Sequence, residues 1–448
     1  MHLPVRISIT VIGVMLSCAA LAQETEIELL RAEVEQLRAD YNTRIAKLER
    51  RLAVAEQNAN EARYAAQGDA TARQEPASRN TGAAAYNPSI GVIFQGQVWQ
   101  YQDDPAGYAV QGMPFGGEAG PFSDGLSLGE TELILNANVD DKFSAWLTAA
   151  LALEDGEAVA EVEEAFVETT ALPAGLGAKF GRFYSGIGYL NSKHAHTWDF
   201  ADQPLPYQAF LADQYADNGL QVRWLAPTPL FLEVGAEVFE GSGYPAGGSA
   251  NSGFGSYSLF ANVGGDVGTD SSWLAGVSYL DVEALERASG DEGEPLLFSG
   301  DSTLTSAHFV WKWAPNGNWK QRNFVFQSEL FWRNDDGAYL VPGGSPLAYN
   351  SDQEGWYAQA VYQPMPRWRF GARIDGLSGD SPGALFDGTP LAIRSDDPRR
   401  YSLMTDWSNS EFSRFRLQFM RDESGPADAN QWGIQYIHSI GAHGAHAF

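Results

Sequence analysis

The 448-residue chain has one cysteine, Cys18, and six methionines. A single cysteine closes no disulfide and builds no cysteine-rich metal site, so the fold must stand without either staple. Basic residues are also scarce. Lys plus Arg number 29 against 57 Asp plus Glu, a formal net charge of −28. That balance argues against nucleic acid, whose phosphates reward the opposite sign, and against tight binding to anionic lipid, while it suits the attraction of cations. Beyond the N-terminus there is no run of about 20 apolar residues, so no helix of a mature chain would span a bilayer. The chain also lacks a phosphate-cradling glycine loop and His-Glu-x-x-His. No catalytic constellation remains, and the expectation is a protein that is not an enzyme.

What is abundant is glycine, at 47 residues, and aromatics, at 12%, the composition of a β-rich, turn-rich chain. Residues 1–22 read as a secretory leader: His2 and Arg6, the apolar run Ile7–Leu16, then Ala20-Leu21-Ala22 before a cleavage expected ahead of Gln23. A lipoprotein signal through Met15-Leu16-Ser17-Cys18 fits less well, because methionine occupies the third position before the cysteine. Residues 23–64 read as a periplasmic coiled-coil helix. Ile27, Leu30, Val34, Leu37, Tyr41, Ile45, Leu48, Leu52 and Ala55 form a narrow apolar stripe with charged flanks and a stutter at Tyr41–Ile45. So narrow a stripe favours self-association, with a trimer expected, over a lone spacer helix. Residues 65–85 are a flexible linker rich in small residues.

From 86 to 448 one theme repeats. Segments of roughly ten residues alternate apolar and polar side chains, with short turns and long Gly/Asp/Ser-rich loops taking turns between them. About sixteen such segments can be counted, among them Ser127–Val139, Ser272–Leu280, Thr303–Trp313, Arg322–Arg333 and Gly355–Gln363. Leu133, Leu135, Ala137 and Val139 share one face, while Glu130, Glu132, Asn136 and Asn138 share the other. Sixteen strands enclose a lumen too wide for side chains to fill, so the polar row is expected to line water and the apolar row to meet lipid. Aromatics near segment ends, Trp99, Trp224, Trp311, Trp332 and Trp432 among them, suit interfacial girdles. The predicted fold is all-β: a transmembrane antiparallel β-barrel of about sixteen strands in the outer membrane, carrying an N-terminal coiled-coil helix in the periplasm. A soluble propeller or sandwich is the alternative.

The last segment alternates to its end through Trp432, Ile434, Tyr436, Ile440 and Phe448. It resembles the terminal strand of outer-membrane proteins, and the resemblance implies recognition by the barrel-assembly machinery. His438 and His446 depart from it, falling on the presumed lipid row. The stretch Glu163-Glu164-Ala165-Phe166-Val167-Glu168 through Gly181-Arg182-Phe183-Tyr184-Ser185-Gly186-Ile187-Gly188 resembles the phosphate-selective porin O/P superfamily. His194-Ala195-His196-Thr197-Trp198-Asp199-Phe200 and the His-rich end resemble the branch of such barrels labelled zinc-regulated outer-membrane receptors. That label implies a TonB-dependent plug and about 22 strands, neither of which this chain offers.

The expected pore-lining residues are Glu130, Glu132, Asn136, Glu164, Glu168, Lys179 and Arg182, the last requiring an irregularity at Gly181 to turn inward. Their acidic majority departs from phosphate selectivity and predicts passive diffusion of small hydrophilic, cationic solutes. Ser185–Asn218 is expected to fold into the lumen as a constriction loop. In it His194, His196, Asp199 and Asp202 could approach one another as zinc ligands. Alternatives are a zinc- or metal-binding uptake receptor, and an envelope tether acting through the coiled coil.

Overall fold

A computed structural model of the chain describes residues 88–441, apart from 106, 118, 155–156, 248–252, 292, 394–396 and 426, with backbone alone for 152–154 and 157–158. The expected leader, coiled-coil helix and linker lie outside the described residues, as do His443, His446 and Phe448.

The described strands are β1 (Ser89–Tyr101), β2 (Gly125–Leu128), β3 (Thr131–Asn138), β4 (Phe143–Glu154), β5 (Glu157–Thr169) and β6 (Leu176–Tyr184). Next come β7 (Ala216–Leu225), β8 (Phe231–Phe239), β9 (Ser256–Val267), β10 (Ser271–Ser289), β11 (Leu296–Trp313) and β12 (Asn323–Leu340). The chain continues with β13 (Leu347–Met365), β14 (Trp368–Gly379), β15 (Arg399–Ser410), β16 (Ser413–Asp422) and β17 (Ala429–Gly441). They form one antiparallel sheet that closes on itself. β1 pairs with β17 on one side, from Gly91↔Gly441 to Tyr101↔Gln431, and with β2 and then β3 on the other. Because β2 and β3 run in succession against the same partner, they count as one interrupted strand of a sixteen-stranded barrel. Short turns such as 268–270, 366–367 and 411–412 occupy the rim where Ser89 and Gly441 lie, and the long connections 102–124, 185–215, 240–255 and 380–398 occupy the other.

Burial follows the alternation. In β16, Phe415, Leu417 and Phe419 are exposed at 43%, 47% and 43%, while Arg416 and Gln418 between them are 1% and 0% exposed. Large apolar side chains outside and charged ones inside are the reverse of a soluble barrel and the arrangement a bilayer requires. Trp432, Ile434, Tyr436 and Ile440 continue that outward row on β17. His438 joins it near the short-turn rim, its ring stacked on Tyr436 with centroids 6.1 Å apart. Trp99 departs from the girdle expected of it. It sits on the inner row, 1% exposed, stacked on Phe122 of the first long loop at 4.8 Å.

β10 to β13 are much longer than expected, at 18 or 19 residues each. Along them the polarity reverses. Toward the short turns, Val277, Phe309, Trp311, Leu330, Trp332 and Trp356 face outward and Ser278, Ser306, Gln327 and Gln359 inward. Further along, Glu283, Asp301, Asn334, Asp336, Asp352 and Glu354 face outward, and Leu280, Val282, Phe298, Leu304, Tyr339 and Tyr349 face inward. Past the hydrocarbon the outer face meets water, so the ordinary rule of apolar-inside returns. The inner apolar row packs with Met113, Ile187, Leu205, Tyr207, Phe210, Phe386 and Leu391 from three long loops. The expectation of a water-filled lumen along the whole barrel is therefore corrected: loops and an apolar core occupy much of the long-loop half.

Candidate channel constriction

Two irregularities gather acids on one stretch of wall. In β5 the pairing passes from Thr148↔Glu164 to Ala149↔Val162, leaving Glu163 as the extra residue of a bulge. Val162 and Ala165 both stay on the outer face, so Glu163 and Glu164 between them both turn inward, 8% and 7% exposed. The break between β2 and β3 places Glu130 within hydrogen-bonding reach of Glu163 and sets Glu132 beside them, 1% exposed.

Residues 185–215 leave β6 and fold into the barrel. Ser185 Oγ and the Gly186 amide donate to Glu237 at 2.6 and 2.9 Å, and the Gly188 amide donates to Ser278 at 3.0 Å. The Tyr189 amide and the Tyr207 hydroxyl donate to Glu329 at 2.8 and 2.9 Å. A short helix, α1 (Leu205–Leu211), starts after Pro204, carries proline in its first turn and is buried throughout. Its apolar residues are why this loop lies inside instead of in solvent.

The loop then touches two walls of different chemistry. At the acidic wall, His194 Nε2 lies 2.9 Å from Glu164 and Nδ1 lies 3.2 Å from Glu163 and 3.6 Å from Glu132; His196 Nδ1 lies 2.6 Å from Glu132. Burial would lower the His194 pKa, but the bonds to Glu163 and Glu164 and the charge of Glu132 outweigh it and hold the imidazolium well above its ordinary range.

At the other wall, on β14 to β16, arginines take over. Asp199 is ion-paired to Arg369, and Asp202 to Arg373 and Arg400 at 2.6 and 3.1 Å. Arg414 and Arg416 donate to the carbonyls of His196 and Trp198 at 2.8 and 2.6 Å while facing Asp406. Burial would raise the Asp202 pKa, but the guanidinium groups of Arg373 and Arg400 hold it below the ordinary carboxylate value. Asp199 and Asp202 thus do not join His194 and His196 as ligands; the arginines are the stronger partners. The arginine wall was missed from sequence, although Arg414 and Arg416 alternate with Phe415 and Leu417 in a way that marks an inward basic row.

Asn136, Glu168 and Lys179 lie on the inner row, with Glu168 3.5 Å from Arg223 and the Lys179 ammonium 4.3 Å from the Phe166 ring centroid. Arg182 does not. Gly181 is irregular, with φ of 129°, yet Arg182 stays in register with outward Ala165, and its guanidinium binds the Val162 carbonyl at 2.8 Å and Glu161 at 3.6 Å. A cavity of about 670 Å³ lies at the short-turn end, bounded by Asp270, Lys312, Trp319 and Gln363 and reaching Asp199 and Arg369.

An uncharacterized protein of Aquifex aeolicus (strain VF5) is 32% identical over 357 residues, covering 72% of this chain and 70% of that protein. The chain belongs to that protein's family. No established family model matches it. Among solved structures the barrel is similar to Salmonella typhi OmpF in complex with daunomycin, with a TM-score of 0.50 at 9% identity over 80% of this chain and 99% of that one. It is also similar to the outer membrane channel DcaP of Acinetobacter baumannii, with a TM-score of 0.48 at 14% identity over 80% and 99%. A third is an anion-selective porin from Comamonas acidovorans, with a TM-score of 0.47 at 9% identity over 79% and 99%. The fold of this family member is that of the bacterial outer-membrane porins.

Proposed function

We propose that the protein resides in the outer membrane as a porin, a passive channel for small hydrophilic solutes. The observation that carries this reading is the loop 185–215 lying inside a lipid-facing barrel, with acids at one contact and arginines at the other. A loop in that position sets the size limit, and the unlike charges on either side of it make a transverse field that orients dipolar solutes. The cation preference expected earlier rested on the acidic rows of β3 and β5 alone. Arg369, Arg373, Arg400, Arg414 and Arg416 also face the lumen, so those acidic rows alone do not set a cation preference. A homotrimer, the periplasmic coiled coil at 23–64 and insertion through the terminal strand belong to the same reading.

Planar-bilayer recording tests it. The purified protein should give ohmic conductance steps, and deleting 187–213 should enlarge them several-fold. Silence of both proteins, once folding is verified, would overturn the proposal.

A further inference from the structure

We propose that Glu132, Glu163 and His194 form a binding site for one divalent first-row transition-metal ion, of which zinc is the simplest occupant. The donor atoms of the three residues lie within 4.8 Å of one another. Two of the separations, 3.2 Å from His194 Nδ1 to Glu163 Oε2 and 3.6 Å to Glu132 Oε2, are close to the ~3.3 Å edge of a tetrahedron with metal–ligand bonds of about 2.0–2.1 Å. The third separation, between the two carboxylates, is within 4.8 Å, and water would complete the fourth position.

Two independent features point the same way. Glu132 is 1% exposed, yet its Oε2 accepts no hydrogen bond while aimed at the His194 ring. A buried carboxylate oxygen needs a cation beside it, either the His194 imidazolium or, once Nδ1 has given up its proton, a metal ion. Each ligand is also oriented from behind, as metal ligands are. His194 offers Nε2 to Glu164 at 2.9 Å, which leaves Nδ1 toward the cluster; Glu132 bonds His196 through its other oxygen at 2.6 Å; Glu163 bonds Glu130. The set differs from the one expected from sequence, since Asp199 and Asp202 are replaced by glutamates that only the barrel brings near. One imidazole and two carboxylates suit zinc and its neighbours better than calcium or magnesium, which take oxygen alone. An ion here would tie the loop to the β3 and β5 wall. The site needs the barrel and its loop but not conduction, so its failure leaves the porin reading intact.

The test is titration of the detergent-folded, full-length mature protein with Zn²⁺ against a competing fluorescent chelator, with folding checked by heat-modifiable gel migration. One ion per chain is expected. Glu132→Gln and His194→Gln should weaken uptake at least ~100-fold and Glu164→Gln about 10–100-fold, while a His443→Gln/His446→Gln double variant should bind as the wild type does. Co²⁺ in the unmodified protein should give the intense visible bands of a tetrahedral site, a readout that needs no variant to fold. No stoichiometric uptake, weak octahedral bands, or uptake that survives His194→Gln would each overturn the proposal.

Discussion

The loop inside the barrel is held at two places, and they are built differently. On β14 to β16 five arginines meet five aspartates, Asp199, Asp202, Asp375, Asp406 and Asp422, so that buried charge is balanced pair by pair. On β3 and β5 the four glutamates 130, 132, 163 and 164 meet only two imidazoles. The first anchorage has as many basic as acidic groups, and arginine keeps its charge at any ordinary pH. The second has a surplus of negative charge that must be met by protons or a cation. One loop is thus secured by a fixed device and an adjustable one.

That contrast can be broken most forcefully at Arg400. Arg400→Ala leaves Asp202 and Asp422 buried without their shared guanidinium, and should cost about 3–5 kcal/mol in urea unfolding. His194→Ala should cost less, about 1–3 kcal/mol by the same measurement, because the glutamates it abandons can take up protons. If the two costs are equal, the proposed difference between the anchorages is wrong. A third comparison uses acid. The folded pKa of Asp202 is depressed, so its contribution is fully present above the ordinary carboxylate pKa and disappears as pH falls through the depressed folded value. The stability gap between wild type and Asp202→Asn should therefore be constant near neutrality and close in strong acid; a gap that widens on acidification contradicts the assignment. The smallest effect is expected at Glu168, on the inner row with its side chain 32% exposed. Glu168→Gln should move the cation-to-anion permeability ratio toward anions by roughly twofold, read from the bilayer reversal potential.

Much of the barrel was legible because its alternation has a physical cause that acts residue by residue. Phe415, Leu417 and Phe419 against Arg416 and Gln418 need no partner to be read as lipid-facing and lumen-facing rows. The extensions of β10 to β13 were not legible for the same reason. The expected segments end at Leu280, Thr303, Arg333 and Gly355, where the outer surroundings change from hydrocarbon to water and the pattern changes phase. Glu163 was hidden by a bulge, though the three-residue spacing of outward Val162 and Ala165 signals a slip in register. The inward fold of 185–215 was legible from its place in the chain, and its histidines from their spacing. Which carboxylates they would meet was not, because Glu132 and Glu163 reach them only through strand pairing, while Asp199 and Asp202 are drawn off by arginines some 170 to 200 residues away.

The unequal strand lengths have a consequence for access. β10 to β13 run to 18 or 19 residues, whereas β6 to β8 have 9 or 10. At about 3.3 Å per residue the longer set adds some 25–35 Å of contour on one side. The mouth is then cut obliquely, like a quill, with a hydrophilic parapet over one sector and a low sill over the other. Bulky surface-binding molecules would collide with the parapet, and small solutes would drift in over the sill.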